Sequence, residues 1–490
     1  MNLSTSARNT VLAAAMSALE DELGLPGGFP PEVTAEAVRV VEEYALPDED
    51  MTHIGFVTID PPTSTDLDQA VHIERDGDGY TVRYAIADVP TFVPEDGDLD
   101  AETRRRGQTL YLPHRRIALH PEVISEDAGS LLPGQRRGAY VWTFSLDADG
   151  NVVQTSLVRA AVESREKLAY SEVQESIDAG TASHSLSLLR EVGLKRIDLE
   201  HQRGGASLRL PEQDVEVDYG GYRLTARAPL PVEDWNAQIS LMTGMEAARI
   251  MLDGGVGILR TMPAPETGSE KIFRRQAAAL GSEWADGVHY GDFLRSLDVS
   301  DPRQMAVMHA ATSLFRGAGY TAFDGEAPAE TDQAAIAAPY AHTTAPLRRL
   351  VDRFVLVVCE HLVRGADVPP GIRATLPLLP DLMNASNRTA GQAEREALNA
   401  VEAALLHGRI GERFDAVTVT GPAPHQSGKT PANGKAPSGT LLVAEPAITA
   451  RYEGDVPAGE HVVAELVEAD VESRSVVFRI VPGLSQTATA

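Results

Sequence analysis

The spacing of apolar residues changes twice along this chain, and that constrains its fold more than any single motif. From residue 52 apolar side chains recur at every second position. Ile54-Gly-Phe-Val-Thr-Ile59, Gln69-Ala-Val-His-Ile73 and Tyr80-Thr-Val-Arg-Tyr-Ala-Ile86 read as strands, the last two joined by a turn at Asp76-Gly-Asp-Gly79. A further hairpin turn is expected at Asp147-Ala-Asp-Gly150. Between about 155 and 410 the period becomes helical, with long runs at 235–252, 303–317, 345–364 and 380–407. It then returns to two, predicting strands at Phe414–Val419, Thr440–Val443, His461–Val467 and Ser475–Ile480. Residues 1–50 add two helices, one faced by Leu12, Met16 and Leu19 and one opened by Pro30–Pro31. Strands and helices segregated in this way predict an α+β fold. The expected order is a helical segment over 1–50, a large body over 51–407 and a small five-stranded barrel of the oligonucleotide-binding type over 408–490. Within the barrel, 421–439 is rich in Pro, Gly, Ser and Lys and reads as a flexible loop.

Charge and cysteine narrow the function classes. The longest apolar run, Phe354 to Cys359, is far too short to span a bilayer, so no membrane partner is expected. A single cysteine, Cys359, excludes a disulfide framework and a multi-cysteine zinc site, and fits a reducing cytoplasm. The net charge of −28 should repel nucleic acid unless basic groups gather locally or metal ions intervene. One such gathering exists at 101–140, where seven arginines, among them Arg104, Arg105 and Arg106, face four acids around Tyr111. Basic groups around an aromatic suit a single-stranded nucleic acid; a charged helix face is the alternative. The barrel offers no such platform, since 440–490 is acidic and its aromatics are Tyr452 and Phe478.

Two stretches carry chemistry. In Ile59-Asp-Pro-Pro-Thr-Ser-Thr-Asp-Leu-Asp-Gln-Ala70, Asp66 and Asp68 lie two apart at the start of a strand and so share a face, and Asp60 can return to them through the rigid Pro61–Pro62 turn. Converging carboxylates raise one another's pKa and call for a cation, and oxygen-only ligands point to Mg²⁺ or Mn²⁺. An acidic turn in an acidic chain is the plain alternative. The second stretch is Tyr340-Ala-His-Thr-Thr-Ala-Pro-Leu-Arg-Arg-Leu-Val-Asp352. Here Pro346 suits a first helical turn with Thr344 as its cap, the free amides attract phosphate, and Asp352 can orient Arg348. A surface ion pair would equally explain Arg348 and Asp352.

Together these stretches resemble the ribonuclease II/R family, whose shared catalytic unit is the RNB domain. The resemblance runs from about 50 to about 405 and includes Ala85-Ile-Ala-Asp-Val89, Thr109-Leu-Tyr-Leu-Pro113, Leu119-His-Pro-Glu122, Leu208-Arg-Leu-Pro-Glu212 and His342-Thr-Thr-Ala-Pro-Leu-Arg-Arg. It implies an RNB catalytic domain followed by a degenerate S1-like barrel. The implied activity is Mg²⁺-dependent 3′→5′ hydrolysis of single-stranded RNA to nucleoside 5′-monophosphates. Carried onto this chain, Asp60, Asp66, Asp68 and Gln69 hold metal or its waters, with Asp68 and Arg348 at the scissile phosphate. Tyr111 stacks on the terminal base, and His342, Arg349, Arg104, Arg105 and Arg106 line the RNA path.

Three departures from the family pattern bear on activity. Gln69 stands where the family has a second adjacent aspartate, Ala237 and Gln238 stand where it has an acidic pair, and roughly 50 helical residues stand in place of cold-shock domains. They keep two alternatives open: a catalytically weakened RNB-fold protein that captures RNA, and a hydrolase of small phosphodiesters.

Overall fold

The computed structural model describes residues 5–482 except 207, 209, 211, 219–220, 423–436 and 444; most of the loop expected at 421–439 therefore lies outside the described residues. Mixed helices and strands form the α+β fold expected from the periodicity. Helix α1 (Thr5–Leu23) and helix α2 (Pro31–Glu42) precede strands β1 (Glu49–Asp50), β2 (Phe56–Asp60), β3 (Gln69–Asp76) and β4 (Gly79–Ala87). Next come helix α3 (Asp98–Arg106), the short hairpin β5 (Leu110–Leu112) and β6 (Arg115–Ile117), and the long pair β7 (Arg136–Leu146) and β8 (Val152–Ala169).

Strand β8 closes the sheet on itself. Its first part pairs antiparallel with β7, and its last residues pair parallel with β2, so the ladder runs β2–β3–β4–β7–β8 and returns to β2. The turns at 76–79 and 147–150 join β3 to β4 and β7 to β8, as their Asp-Gly sequences predict. Inside lie Tyr84, Trp142 and Phe144, all fully buried, continuous with the apolar faces of the helices Pro231–Gly254 and Leu350–Val363. Burying side chains of this size stabilises the fold by about 1.5–3 kcal/mol each.

Two glycines fix how closely the helices approach their neighbours. A Cβ on Gly244 would stand 2.2 Å from the Tyr340 ring, so only glycine lets the helix Pro231–Gly254 lie against the 340–341 segment, whose Ala341 amide donates to the Gly244 carbonyl. Gly107 ends α3 at φ +71°, and a Cβ there would stand 2.5 Å from Cβ of Ser386 on the helix Leu379–Leu406.

That last helix also carries α1. Leu12, Met16 and Leu19 pack on Ala393, Ala397 and Ala400 in one cluster that continues into the C-terminal barrel. The barrel closes through five strands in the order 413–420, 438–443, 448–453, 475–480 and 461–470. Residues 448–453 supply the fifth, with Ile448, Ala450 and Tyr452 turned inward. Among the described residues no helix is long and apolar enough to cross a membrane.

Candidate active site

Asp60 ends β2, but Asp66 and Asp68 lie in the loop before β3 rather than on the strand itself. That loop is pinned from several sides. The Ser130 hydroxyl accepts from the Leu67 amide at 2.9 Å and donates to the Thr65 carbonyl at 2.8 Å; the Asp68 carbonyl accepts from the Ala87 amide, and Lys167 Nζ donates to the carbonyls of Pro62 and Ser64. Leu67 is fully buried and anchors the loop, as expected from its alternation with the aspartates. Asp68 is buried beside it, and desolvation holds its carboxyl well above the ordinary range despite the opposing Arg348 guanidinium and the Leu347 amide. Asp60 is pushed up to about 6, again by desolvation, and its Oδ2 is buried without a hydrogen-bond partner.

Facing the carboxylates is the turn 345–349. The helix that follows begins at Leu350, not at Pro346 as its sequence suggests: the Arg348 and Arg349 amides turn back to the Ala345 carbonyl, and Arg349 is extended, with φ −134° and ψ 129°. The Ala345 amide donates to Asp352 at 2.7 Å, the Leu347 amide donates to Asp68 at 2.7 Å, and Pro346 has no amide to give. A phosphate seat on these amides is therefore not available. Asp352 also accepts from Arg349 through both oxygens, at 2.8 and 2.9 Å, so the arginine it orients is Arg349 and not Arg348. The turn is fastened to α3's exit by the Thr109 amide on the Arg348 carbonyl and the Leu350 amide on the Gly107 carbonyl. From below, His120 contacts the Leu347 carbonyl at 3.0 Å through Nδ1; burial drives its pKa down to about 3, so it is neutral and donates there. Arg348 is left with its guanidinium Nε 3.5 Å from Asp68 and its side chain 44% exposed, available to an incoming anion.

The hairpin β5–β6 forms the third wall. Tyr111 sits directly opposite Arg116 in the register, and both reach Asp66: the Tyr111 hydroxyl donates to Oδ2 at 3.3 Å and Arg116 Nη1 to Oδ1 at 2.6 Å. The Tyr111 ring is exposed, which suits stacking on a base.

Several residues expected at the site are committed elsewhere. Gln69 is hydrogen-bonded at both ends of its amide: Nε2 donates to the Thr344 carbonyl at 2.8 Å, and Oε1 accepts from the hydroxyls of Tyr84 and Ser240. It clamps β3 to the 344 segment instead of offering an oxygen to a metal. His342 is half-buried between Tyr320, whose hydroxyl is 2.8 Å from Nδ1, and the edge of Tyr340. Arg349 is spent on Asp352. The α3 arginines are corrected in the same way. Arg104 pairs with Asp100 and Arg105 with Glu102, while Arg106 is buried on Glu102, the carbonyls of Ala118 and Gly28, and the ring of Phe29. Their acids lie three and four residues away on the same helix, which is why the island carries little free charge. Gln238 is buried and donates to Glu200.

Among the described residues no three of His, Cys, Asp and Glu form a ready cation cage. A Mg²⁺ or Mn²⁺ ion needs less than that, since such ions take one or two carboxylates and complete their shell with water and substrate phosphate. Asp60, with its unpartnered buried oxygen, and Asp68 fit that requirement; Asp66 and Gln69 are already engaged. The supports that sequence reasoning missed are Arg116, Tyr84, Ser240, Thr344, Lys167 and His120. Of these only Arg116 left a signal, through its pairing with Tyr111 across the Pro113–His114 turn.

The RNB domain matches residues 48–365, and the RNase II-type exonuclease C-terminal S1 domain matches residues 412–481. Ribonuclease R of Aquifex aeolicus (strain VF5) is 26% identical over 426 residues, covering 80% of this chain and 58% of that protein. The chain thus spans little more than half of this relative's length. Mycoplasma genitalium RNase R in complex with ribose methylated single-stranded RNA superimposes with a TM-score of 0.83 at 18% identity, over 96% of this chain and 78% of that one. Yeast Ssd1, a pseudonuclease, superimposes with a TM-score of 0.67 at 17% identity, over 88% of this chain and 52% of that one. With the RNB match covering well over half of its length, this chain belongs to the RNB-domain family and carries an RNase II-type S1 barrel after its RNB domain.

Proposed function

We propose that this chain is a divalent-metal-dependent exoribonuclease that removes nucleoside 5′-monophosphates from the 3′ end of single-stranded RNA. The observation that carries it is one arrangement: buried Asp68 facing half-exposed Arg348, with the unpaired Asp60 oxygen and the exposed Tyr111 ring at the same carboxylate cluster. Asp60 and Asp68 would hold Mg²⁺ or Mn²⁺, which when bound supplies Lewis-acid stabilisation at phosphorus and a more acidic water. The chain's own groups do the rest. Tyr111 stacks on the terminal base. Arg348 takes the scissile phosphate and neutralises the charge that grows on it. The Leu347 amide on Oδ1 fixes the Asp68 carboxylate, so that Oδ2 is aimed at the space before Arg348.

A second reading, an RNA-capturing protein with weakened hydrolysis, draws support from Gln69. Its amide is saturated by Tyr84, Ser240 and Thr344, and it brings no negative charge. One assay separates the two: decay of an end-labelled single-stranded RNA with Mg²⁺ or Mn²⁺. Shortening from the 3′ end with release of monophosphates is expected, and Asp68→Asn should abolish it while leaving RNA capture intact. Retention of RNA without decay would establish the second reading, and wild-type hydrolysis by Asp68→Asn would remove Asp68 from the chemistry.

A further inference from the structure

Arg116 is a strong cation inside the carboxylate cluster, bonded directly to one of its aspartates, that the proposed reaction does not use. Its guanidinium Nη1 lies 2.6 Å from Asp66 Oδ1, Nη2 lies 3.2 Å from Thr65 Oγ1, and Glu126 accepts from the same Nη2. The contacts with Glu126 and Thr65 hold the guanidinium in place whether or not Asp66 takes part. The hairpin beneath it is also anchored from outside the site. Glu20 of α1 accepts from Arg115 at 2.6 and 2.7 Å and meets His114 at 2.8 Å. Both oxygens of Asp66 therefore face hairpin donors, Arg116 on one and the Tyr111 hydroxyl on the other.

A divalent ion at Asp60 and Asp68 would meet this charge. Asp66 is within electrostatic reach of both carboxylates, so a cation there would ordinarily draw on it as a third source of negative charge. Here Arg116 already pairs with that charge, while also serving Glu126. Gln69 withholds a further charge.

We infer that Arg116 is a built-in cation that competes with the divalent metal for Asp66, and so sets a weak metal affinity in the RNA-free chain. The inference rests on the proposed metal site at Asp60 and Asp68 but not on hydrolysis itself. It adds a consequence: metal and RNA should bind together, because a phosphate brings negative charge in place of that paired with Arg116.

The test is Mn²⁺ binding to the full chain without RNA, followed by calorimetry and by the loss of free-ion paramagnetic signal. Arg116→Gln removes the charge and keeps a polar side chain; its Kd for Mn²⁺ should fall about tenfold or more, the weight of a unit charge a few ångströms away in a half-buried setting. Arg116→Lys should restore the wild-type Kd, and Asp60→Asn should abolish the gain. Unchanged or weaker Mn²⁺ binding by a folded Arg116→Gln, or no Mn²⁺ binding by either form, overturns the inference. Where the glutamine variant does not fold, Arg116→Met, which keeps the aliphatic stem, repeats the test. Failure of the hydrolytic reading would look different. RNA would persist with Mn²⁺ present, while Arg116→Gln still bound the ion more tightly than wild type.

Discussion

The three arginines of α3 and the single Arg348 live under opposite rules. Arg104, Arg105 and Arg106 follow one another on α3, each within a turn of Asp100 or Glu102; Arg106 is sealed against Glu102, two backbone carbonyls and Phe29. Arg348 sits on a turn whose carboxylate neighbours are occupied by backbone amides and by Arg349. Its own contact with Asp68 is long, at 3.5 Å, and its side chain is 44% exposed. The lesson is about free charge rather than total charge. A helix with acids three and four residues before its bases consumes its own field, whereas a turn that spends its carboxylates on amides leaves an arginine for a ligand.

The sharpest way to break this contrast is at Arg348. Replacement by lysine should cost about 100-fold or more in kcat, because a point charge cannot reproduce the planar fork at a phosphate. Its melting temperature should stay near that of wild type, since the side chain holds nothing else in place. Near-normal kcat would make Arg348 a structural partner of Asp68. Arg106→Ser should do the reverse. Arg105 still pairs with Glu102, but the carbonyls of Ala118 and Gly28 lose their buried donor, which should cost about 1–3 kcal/mol in chemical denaturation. Where the variant still folds, the slope of log RNA affinity against log salt should not move, whereas each lost phosphate contact would lower it by about 0.7. A flattened slope with unchanged stability would put Arg106 back on the RNA path.

Glu402 sharpens the comparison from the barrel side, as a buried carboxylate that pairs with no cation among the described residues. It accepts from Gln213 and from the Thr449 amide, and desolvation pushes its pKa up to about 7. The folded state holds this proton more tightly than the unfolded one. The stability it contributes is therefore complete below the ordinary carboxylate pKa, and is lost as the pH climbs towards 7. Glu402→Gln should remove that decline, by at most about 3 kcal/mol, and raise the melting temperature relative to wild type at pH 8 more than at pH 5. An equal offset at both pH values would mean that Glu402 does not titrate in this window. The smallest effect is expected at Arg105→Ser: its side chain is 54% exposed, and loss of its pair should shift stability by no more than about 1 kcal/mol.

How much of this was legible in the sequence follows from how local each determinant is. The carboxylate loop and the arginine turn are linear motifs of a dozen residues, and the change of apolar period separates the sheet, the helices and the barrel. Partner choice is different, because it depends on elements that meet only in the fold. Gln69 reads as an oxygen donor until Tyr84 from the next strand and Ser240 from a distant helix claim that oxygen. Asp352 reads as a partner for Arg348 until the helix starts four residues late, which turns Arg349 towards it. The α3 arginines are the exception. Asp100 and Glu102 stood within a turn of them, and a charge sum over forty residues averaged that spacing away.

The seat of α1 has a consequence for how the molecule is made. Its apolar face, Leu12, Met16 and Leu19, is covered by the helix Leu379–Leu406 and the barrel, and Arg474 of the barrel pairs with its Glu22. A ribosome delivers α1 before its cover, so these side chains must wait, uncovered, while the residues between them are synthesised. Contacts so distant in sequence are closed late. The hairpin that carries Tyr111 and Arg116, braced by Glu20 of the same helix, reaches its final stiffness only when the barrel arrives. The site's walls are then finished in one step with the barrel, and a nascent chain holds all its carboxylates before it holds a working mouth.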